Sequence, residues 1–87
     1  MENNVKIIMY GAEWCADCFR AKKVFTENKI DYTYIDIDKN EEAKSYVKEI
    51  NPQGNETIPV IKFPDNSVLI EPSTSDLTNY LITLGMI

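Results

Sequence analysis

The sequence predicts an α/β domain in the order β-α-β-α-β-β-α, a four-stranded mixed sheet with three helices. Three observations carry that reading. Short β-branched apolar runs alternate with helical periodicities. The first three elements form a β-α-β unit, whose right-handed crossover lays its two strands parallel. The last two strands are separated by one turn, so they close as an antiparallel hairpin.

Each element follows from local composition. Val5 to Tyr10 is an apolar run broken by Lys6 and ended by Gly11, a buried strand. Ala16 to Asn28 reads as a helix, with Phe19, Ala21 or Lys22, and Phe25 near one stripe and Arg20, Lys23 and Glu27 off it. In the second strand, Tyr32 to Ile37, Tyr32, Tyr34 and Asp36 alternate with Thr33, Ile35 and Ile37. Asp38 is the expected N-cap of a helix over Asn40 to Ile50. Glu41 and Glu42 lie in its first turn, where the helix dipole favours them, and Ala43, Tyr46, Val47 and Ile50 form its apolar face. Asn51 to Asn55 is a loop by composition. The third strand runs from Ile58 to Phe63 and holds Pro59 near its start, where a strand tolerates proline. Pro64 to Ser67 turns the chain into a short fourth strand, Val68 to Ile70. Ser73 caps the last helix, with Asp76 at the capping-box position. Leu77, Tyr80, Leu81 and Leu84 form its buried stripe, and Gly85 ends it.

The 87 residues fit a single domain, 1–87, with no linker, repeat or low-complexity tract. A net charge of −5 argues against nucleic acid or an anionic membrane as partner, because both need basic patches. Met1 to Tyr10 does not read as a signal peptide. No apolar run reaches the ~18–20 residues that a membrane helix needs. The expectation is therefore a soluble, cytoplasmic monomer that binds neither nucleic acid nor membrane.

Trp14-Cys15-Ala16-Asp17-Cys18 stands at the junction of the first strand and the first helix, and these two cysteines are the chain's whole complement. A Cys15–Cys18 bridge closes so short a loop that it restrains the unfolded chain little. In a reducing compartment the pair calls for a chemical explanation. Backbone N–H groups at a helix start favour a thiolate at Cys15, which can attack a disulfide. Cys18, one turn on, is placed to resolve the mixed disulfide. Glu13 and Asp17 flank Cys15 with no evident counter-ion besides Arg20, and they oppose a further anion there. The helix start should prevail, because its dipoles are fixed while the carboxylates can swing into solvent. Trp14 either packs or covers the thiol and shapes a docking surface. A zinc or iron–sulfur site would need ligands from a second chain, because there is no histidine and no third cysteine. A non-catalytic metal or iron–sulfur carrier is thus the rival reading from another class.

The second constellation is Thr57-Ile58-Pro59. Spacing alone leaves Pro59 trans, as about 95% of X–Pro bonds are in folded proteins.

Taken together, these motifs resemble the glutaredoxin family, most of all its mycoredoxin branch. The matching residues are Trp14-Cys15-x-x-Cys18, Tyr34-x-Asp36-Ile37, Gly54-Asn55-Glu56-Thr57-Ile58-Pro59, Val60 to Asp65, and Pro72-Ser73. The resemblance implies a thioredoxin-like fold, Cys15 as nucleophile, Cys18 as resolving thiol and a cis Ile58–Pro59 peptide facing them. It also implies that Trp14, Thr57, Ile58 and Pro59 meet the substrate, with the Ile58 backbone pairing to a substrate chain. The start of the last helix, Ser73, Thr74 and Ser75, is either a plain cap or an acceptor-group site. The implied activity is thiol–disulfide exchange on disulfide-containing proteins, with no bound cofactor. The implied electron donor is a low-molecular-weight thiol, mycothiol or glutathione. The runner-up is a redoxin reduced by thioredoxin reductase that serves ribonucleotide reductase, but Glu71 to Ser75 does not match that group's motif. Glutathione-binding members carry basic residues and a Gly-Gly where this chain has Glu13, Glu56 and Pro72-Ser73. A less anionic thiol such as mycothiol, or a protein disulfide, suits those acids better.

Overall fold

The computed structural model describes residues 6–87. The elements are β1 (Ile7–Gly11), α1 (Ala16–Glu27), β2 (Tyr32–Asp36), α2 (Glu41–Ile50), β3 (Val60–Lys62), β4 (Val68–Ile70) and α3 (Thr74–Thr83). Their order is the one the sequence predicts. The sheet runs β2-β1-β3-β4, with β1 parallel to β2 and antiparallel to β3, and β3 antiparallel to β4. Val5, expected to open the first strand, lies outside the described residues, as does half of Met1 to Tyr10, the stretch read for a leader.

Alternation along β1 sorts the two faces of the sheet. Ile7, Met9 and Gly11 point to the buried side, where Gly11 meets Cys18 of α1. Tyr10 faces the other way and meets Tyr46 of α2, with ring centroids 5.0 Å apart. Phe25 of α1 stacks on Tyr32 of β2, and Phe63 meets Tyr80 of α3 edge-on. Phe25, Phe63, Met9, Ile61, Leu77 and Leu81 are among the fully buried side chains of one continuous core. Gly85 ends α3 at φ +74, and the N–H groups of Gly85 and Met86 close back on Ile82 and Leu81.

Four local expectations are corrected. The cap of α2 is Asn40, whose side chain accepts the Ala43 N–H at 2.9 Å. Asp38 sits in a turn instead, held by its own N–H to Asp36 Oδ1. On α1 the buried residues are Cys18, Ala21, Val24 and Phe25. Phe19 is exposed, because Cys18 takes the inward position and the next residue turns away from it by about 100°. The third strand begins at Val60 rather than Ile58, because Pro59 has no N–H to donate to a ladder. It is also shorter at its far end, where Phe63 instead bonds across the turn to Ser67. The second strand ends at Asp36, although the Ile37 N–H still donates to the Gly11 carbonyl.

Among the described residues, no helix is long and apolar enough to cross a membrane.

Candidate active site

β1 ends where the site begins. Gly11 is the last strand residue, and a Cβ added there would lie 2.8 Å from Cys18 Sγ and 3.1 Å from Tyr34 Cε1. Only glycine lets the sulfur approach the strand so closely. The chain then turns, and the Cys15 N–H donates to the Ala12 carbonyl. Cys15 is the N-cap of α1, in extended backbone conformation, and its sulfur accepts the Cys18 N–H at 3.1 Å. The sulfur therefore fills the place that a hydroxyl or carboxylate oxygen takes at an ordinary helix start. An N–H aimed at it favours negative charge there.

The two thiols differ in surroundings. Cys15 is 6% exposed and lines a groove of about 330 Å³ with Trp14, Thr57 and Ile58. Cys18 is 1% exposed, on the buried face of α1. Burial, together with the bond to Cys15 and the charge of Cys15, pushes the Cys18 thiol up to about 12; a backbone bond at Ala12 and the Lys22 charge pull the other way. The two sulfurs are thus unlike, one at the groove and the other buried and held as a thiol.

The second constellation comes to the first. The Ile58–Pro59 peptide is cis, not trans as spacing alone would have it. The Cys15 thiol points at the Ile58 carbonyl, 3.9 Å away. Two residues brace this loop. Asn51, a buried polar side chain, donates from Nδ2 to the carbonyls of Val47 and Thr57. The Glu71 N–H donates to the Pro59 carbonyl at 2.8 Å.

Trp14 is 68% exposed, so it is not a core residue. Its indole Nε1–H donates to Asp38 Oδ2 at 2.8 Å, which holds the ring at the groove wall. Ser73 caps α3 by accepting the Asp76 N–H at 3.0 Å. Thr74 lines a separate cavity with Arg20, Lys23 and Glu27. Glu71, not the Ser73–Thr74–Ser75 run, completes the groove at that end.

The flanking acids are not left without cations. Asp17 pairs with Arg20, and Glu13 with Lys39 at 3.5 Å. Glu56, on the groove, pairs with Lys44 and Lys48. All are exposed or half-exposed pairs, each worth little in stability, but they blunt the repulsion that Glu13 and Asp17 exert on an anion at Cys15.

Sequence reasoning missed Gly11, Asp38, Asn51, Glu71 and Tyr34 as parts of the site. A glycine just before a C-x-x-C helix was a readable signal for close backbone approach. The others act across long sequence separations and carry no local mark.

Known proteins share this arrangement. The family model described as Glutaredoxin matches residues 7–68. A Mycobacterium tuberculosis protein provisionally named a glutaredoxin is 36% identical over 79 residues, covering 91% of this chain and 93% of the relative. Mycoredoxin 1 of Corynebacterium glutamicum is 28% identical over 71 residues, covering 82% and 86% of the two chains. Among solved structures, a glutaredoxin of Archaeoglobus fulgidus superposes with a TM-score of 0.68 at 24% identity, covering 91% of this chain and 94% of that one. A dithiolic glutaredoxin of Trypanosoma brucei brucei gives 0.65 at 24% identity, covering 92% and 79%. At these identities the two structures speak for the fold.

Proposed function

The chain belongs to the glutaredoxin family of thiol–disulfide oxidoreductases, and on that premise we propose that it is a dithiol enzyme that reduces protein disulfides and protein–low-molecular-weight-thiol mixed disulfides. The observation that carries the reading is the asymmetry of the pair, with Cys15 capping α1 at the groove and Cys18 sealed behind it. The Cys15 thiolate attacks one sulfur of the substrate disulfide, whose S–S bond breaks, and the released thiolate takes up a proton. Cys18 then attacks Cys15 Sγ, the enzyme–substrate S–S bond breaks, and the second substrate thiol leaves. The enzyme ends oxidised, and two electrons have passed to the substrate. Trp14, Thr57, Ile58 and Pro59 seat the substrate; a chain laid beside Ile58 can bond to its backbone. At the start of α3 the Ser73 hydroxyl caps the helix, and Ser73 to Ser75 touch an acceptor group only if the bound thiol reaches that far.

Mycothiol is the proposed electron donor, with no bound cofactor. Its support is charge. Glutathione is anionic at neutral pH, and the groove wall carries the carboxylates of Asp17 and Glu56, which are ion-paired, and of Glu71, which pairs with no cation among the described residues. The setting is the cytoplasm, where reductant is available and an internal disulfide is transient.

The test offers the oxidised enzyme three donors: glutathione, mycothiol, and thioredoxin reductase with NADPH. Mycothiol should reduce it fastest. Fastest reduction by the reductase would move the chain to the redoxin reading. The Cys18→Ser variant should accumulate a covalent Cys15–substrate adduct, visible by mass. A dead Cys18→Ser variant beside an active Cys15→Ser variant would reverse the two roles.

A further inference from the structure

Beyond the groove, Cys15 also borders a second cavity, of about 320 Å³, formed with Ala12, Glu13, Cys18, Phe19 and Lys22. Lys22 stands four residues after Cys18 on α1, one turn along the same face. Among the described residues its ammonium pairs with no carboxylate. It lies 3.7 Å from the centroid of the Tyr34 ring and 5.8 Å from that of Phe19. A cation held on an aromatic face keeps its charge unspent for a third group nearby. Tyr34 is packed against the same spot as the buried sulfur. Its ring edge and Cys18 Sγ both crowd the Gly11 Cα, which has room for neither to move inward.

We infer that Lys22, held by the Tyr34 ring, is a positioning residue for the second half-reaction, in which it stabilises the Cys18 thiolate that attacks the mixed disulfide. The inference rests on the dithiol reading above and adds the group that makes resolution feasible from a buried thiol. In that step the Cys18 proton passes to solvent, and Cys18 Sγ attacks Cys15 Sγ. The Cys15–substrate bond breaks, and the departing sulfur keeps the electron pair and gains a proton. Once Cys15 is bonded to substrate it no longer bears the charge that opposes ionisation of Cys18. The other groups around the sulfur then decide the matter. Tyr34 of β2 lies against it, Glu13 from the turn before α1, already paired with Lys39, borders the same cavity, and Asp36 of β2 acts on the Tyr34 phenol rather than on the sulfur. Tyr34 stays a neutral phenol, because burial, with nearby negative charge, pushes it up to about 12. Lys22 is the cation in this set.

The experiment is a single turnover of the reduced full chain with a peptide cysteine blocked as its thionitrobenzoate disulfide. Attack by Cys15 releases the coloured thiol. Resolution is followed by acid quenching and the mass of the protein, peptide-bonded or internally oxidised. Lys22→Gln should leave the first phase within about twofold and slow the second three- to tenfold near pH 7. The range reflects a tenfold change in thiolate fraction per pKa unit, partly offset by the higher nucleophilicity of a more basic sulfur, on the order of half the logarithm. The pH midpoint of the second phase should rise by about one unit, and Lys22→Arg should restore both. If the native enzyme forms no peptide adduct or never resolves it, the dithiol reading itself fails. If the native enzyme resolves and Lys22→Gln matches it in rate and pH midpoint, or slows both phases equally, this inference is overturned and the dithiol reading stands.

Discussion

At the start of α3 the Ser73 hydroxyl accepts the Asp76 N–H at 3.0 Å; at the start of α1 the Cys15 sulfur accepts the Cys18 N–H at 3.1 Å. Both cap residues are in extended backbone, and both bonds span three residues. The hydroxyl keeps its proton at every pH the fold survives, so at α3 the bond only secures a helix end. The sulfur can give its proton up, so at α1 the same bond becomes a hold on an anion. The surroundings differ as well. Ser73 is exposed, whereas Cys15 is nearly buried between the Ile58 carbonyl and the groove. Capping geometry is thus common property of the two helices, and chemistry comes from the atom that occupies the cap.

The comparison is broken most sharply by exchanging that atom. Cys15→Ser puts at α1 the residue type that already caps α3. Serine is among the best N-caps, so urea unfolding of the reduced chain should shift by no more than about 1 kcal/mol. Disulfide reduction should fall to the uncatalysed rate, since the attacking thiolate is gone. Loss of both fold and activity would mean that the sulfur is holding α1 in a way an oxygen cannot.

The next largest effect probes what lies behind the cap. Gly11→Ala drives a Cβ to within 2.8 Å of Cys18 Sγ, in a residue that is 1% exposed, so the sulfur or the strand must shift. Overpacking of this kind costs about 1–3 kcal/mol. Thermal melting should show the loss as a lower midpoint. Resolution by Cys18 should slow more than attack by Cys15, because the displaced sulfur is the one that resolves. An unchanged midpoint would mean that β1 and α1 part easily at this point.

How much of this was legible in the sequence varied with the range of the interaction. Strand and helix order, the Ser73 cap, the Gly85 stop and the reactive pair are local, written in periodicity and in residues a few positions apart. The cap of α2 was misplaced by two residues because Asp38 and Asn40 are both good caps. What decides between them is the Asx turn that Asp36 makes with the Asp38 N–H. The indole of Trp14, 24 residues before Asp38, then takes up that freed carboxylate. Phe19 was placed inside because an apolar residue on a helix usually is, yet the buried position belongs to Cys18. Lys39, which offsets Glu13, comes from the turn after β2. Asn51 and Glu71 fix the Thr57–Pro59 loop from two different elements. None of these pairings leaves a periodic trace, since each depends on where the folded sheet brings distant turns together.

The smallest effect comes from the other helix start. Ser73→Ala removes the hydroxyl that accepts the Asp76 N–H and leaves the first turn of α3 short of one partner. The site is exposed, so water replaces part of the lost bond, and the cost should be about 1 kcal/mol. In a domain of this size that is a fall of roughly 4–8 °C in the melting midpoint. The kinetic readout separates the two roles this helix start can have. Ser73 spends its hydroxyl on the cap, and Thr74 faces the cavity beside Arg20 and Glu27 rather than the Cys15 groove. A pure cap would therefore lower the melting point and leave kcat/KM within about twofold, which is the expected result. A raised KM for a mixed disulfide with a low-molecular-weight thiol, at unchanged kcat, would show that the acceptor group reaches α3 in the bound state. In that case the two helix starts would be two ends of one binding surface, with the sulfur cap attacking and the hydroxyl cap holding.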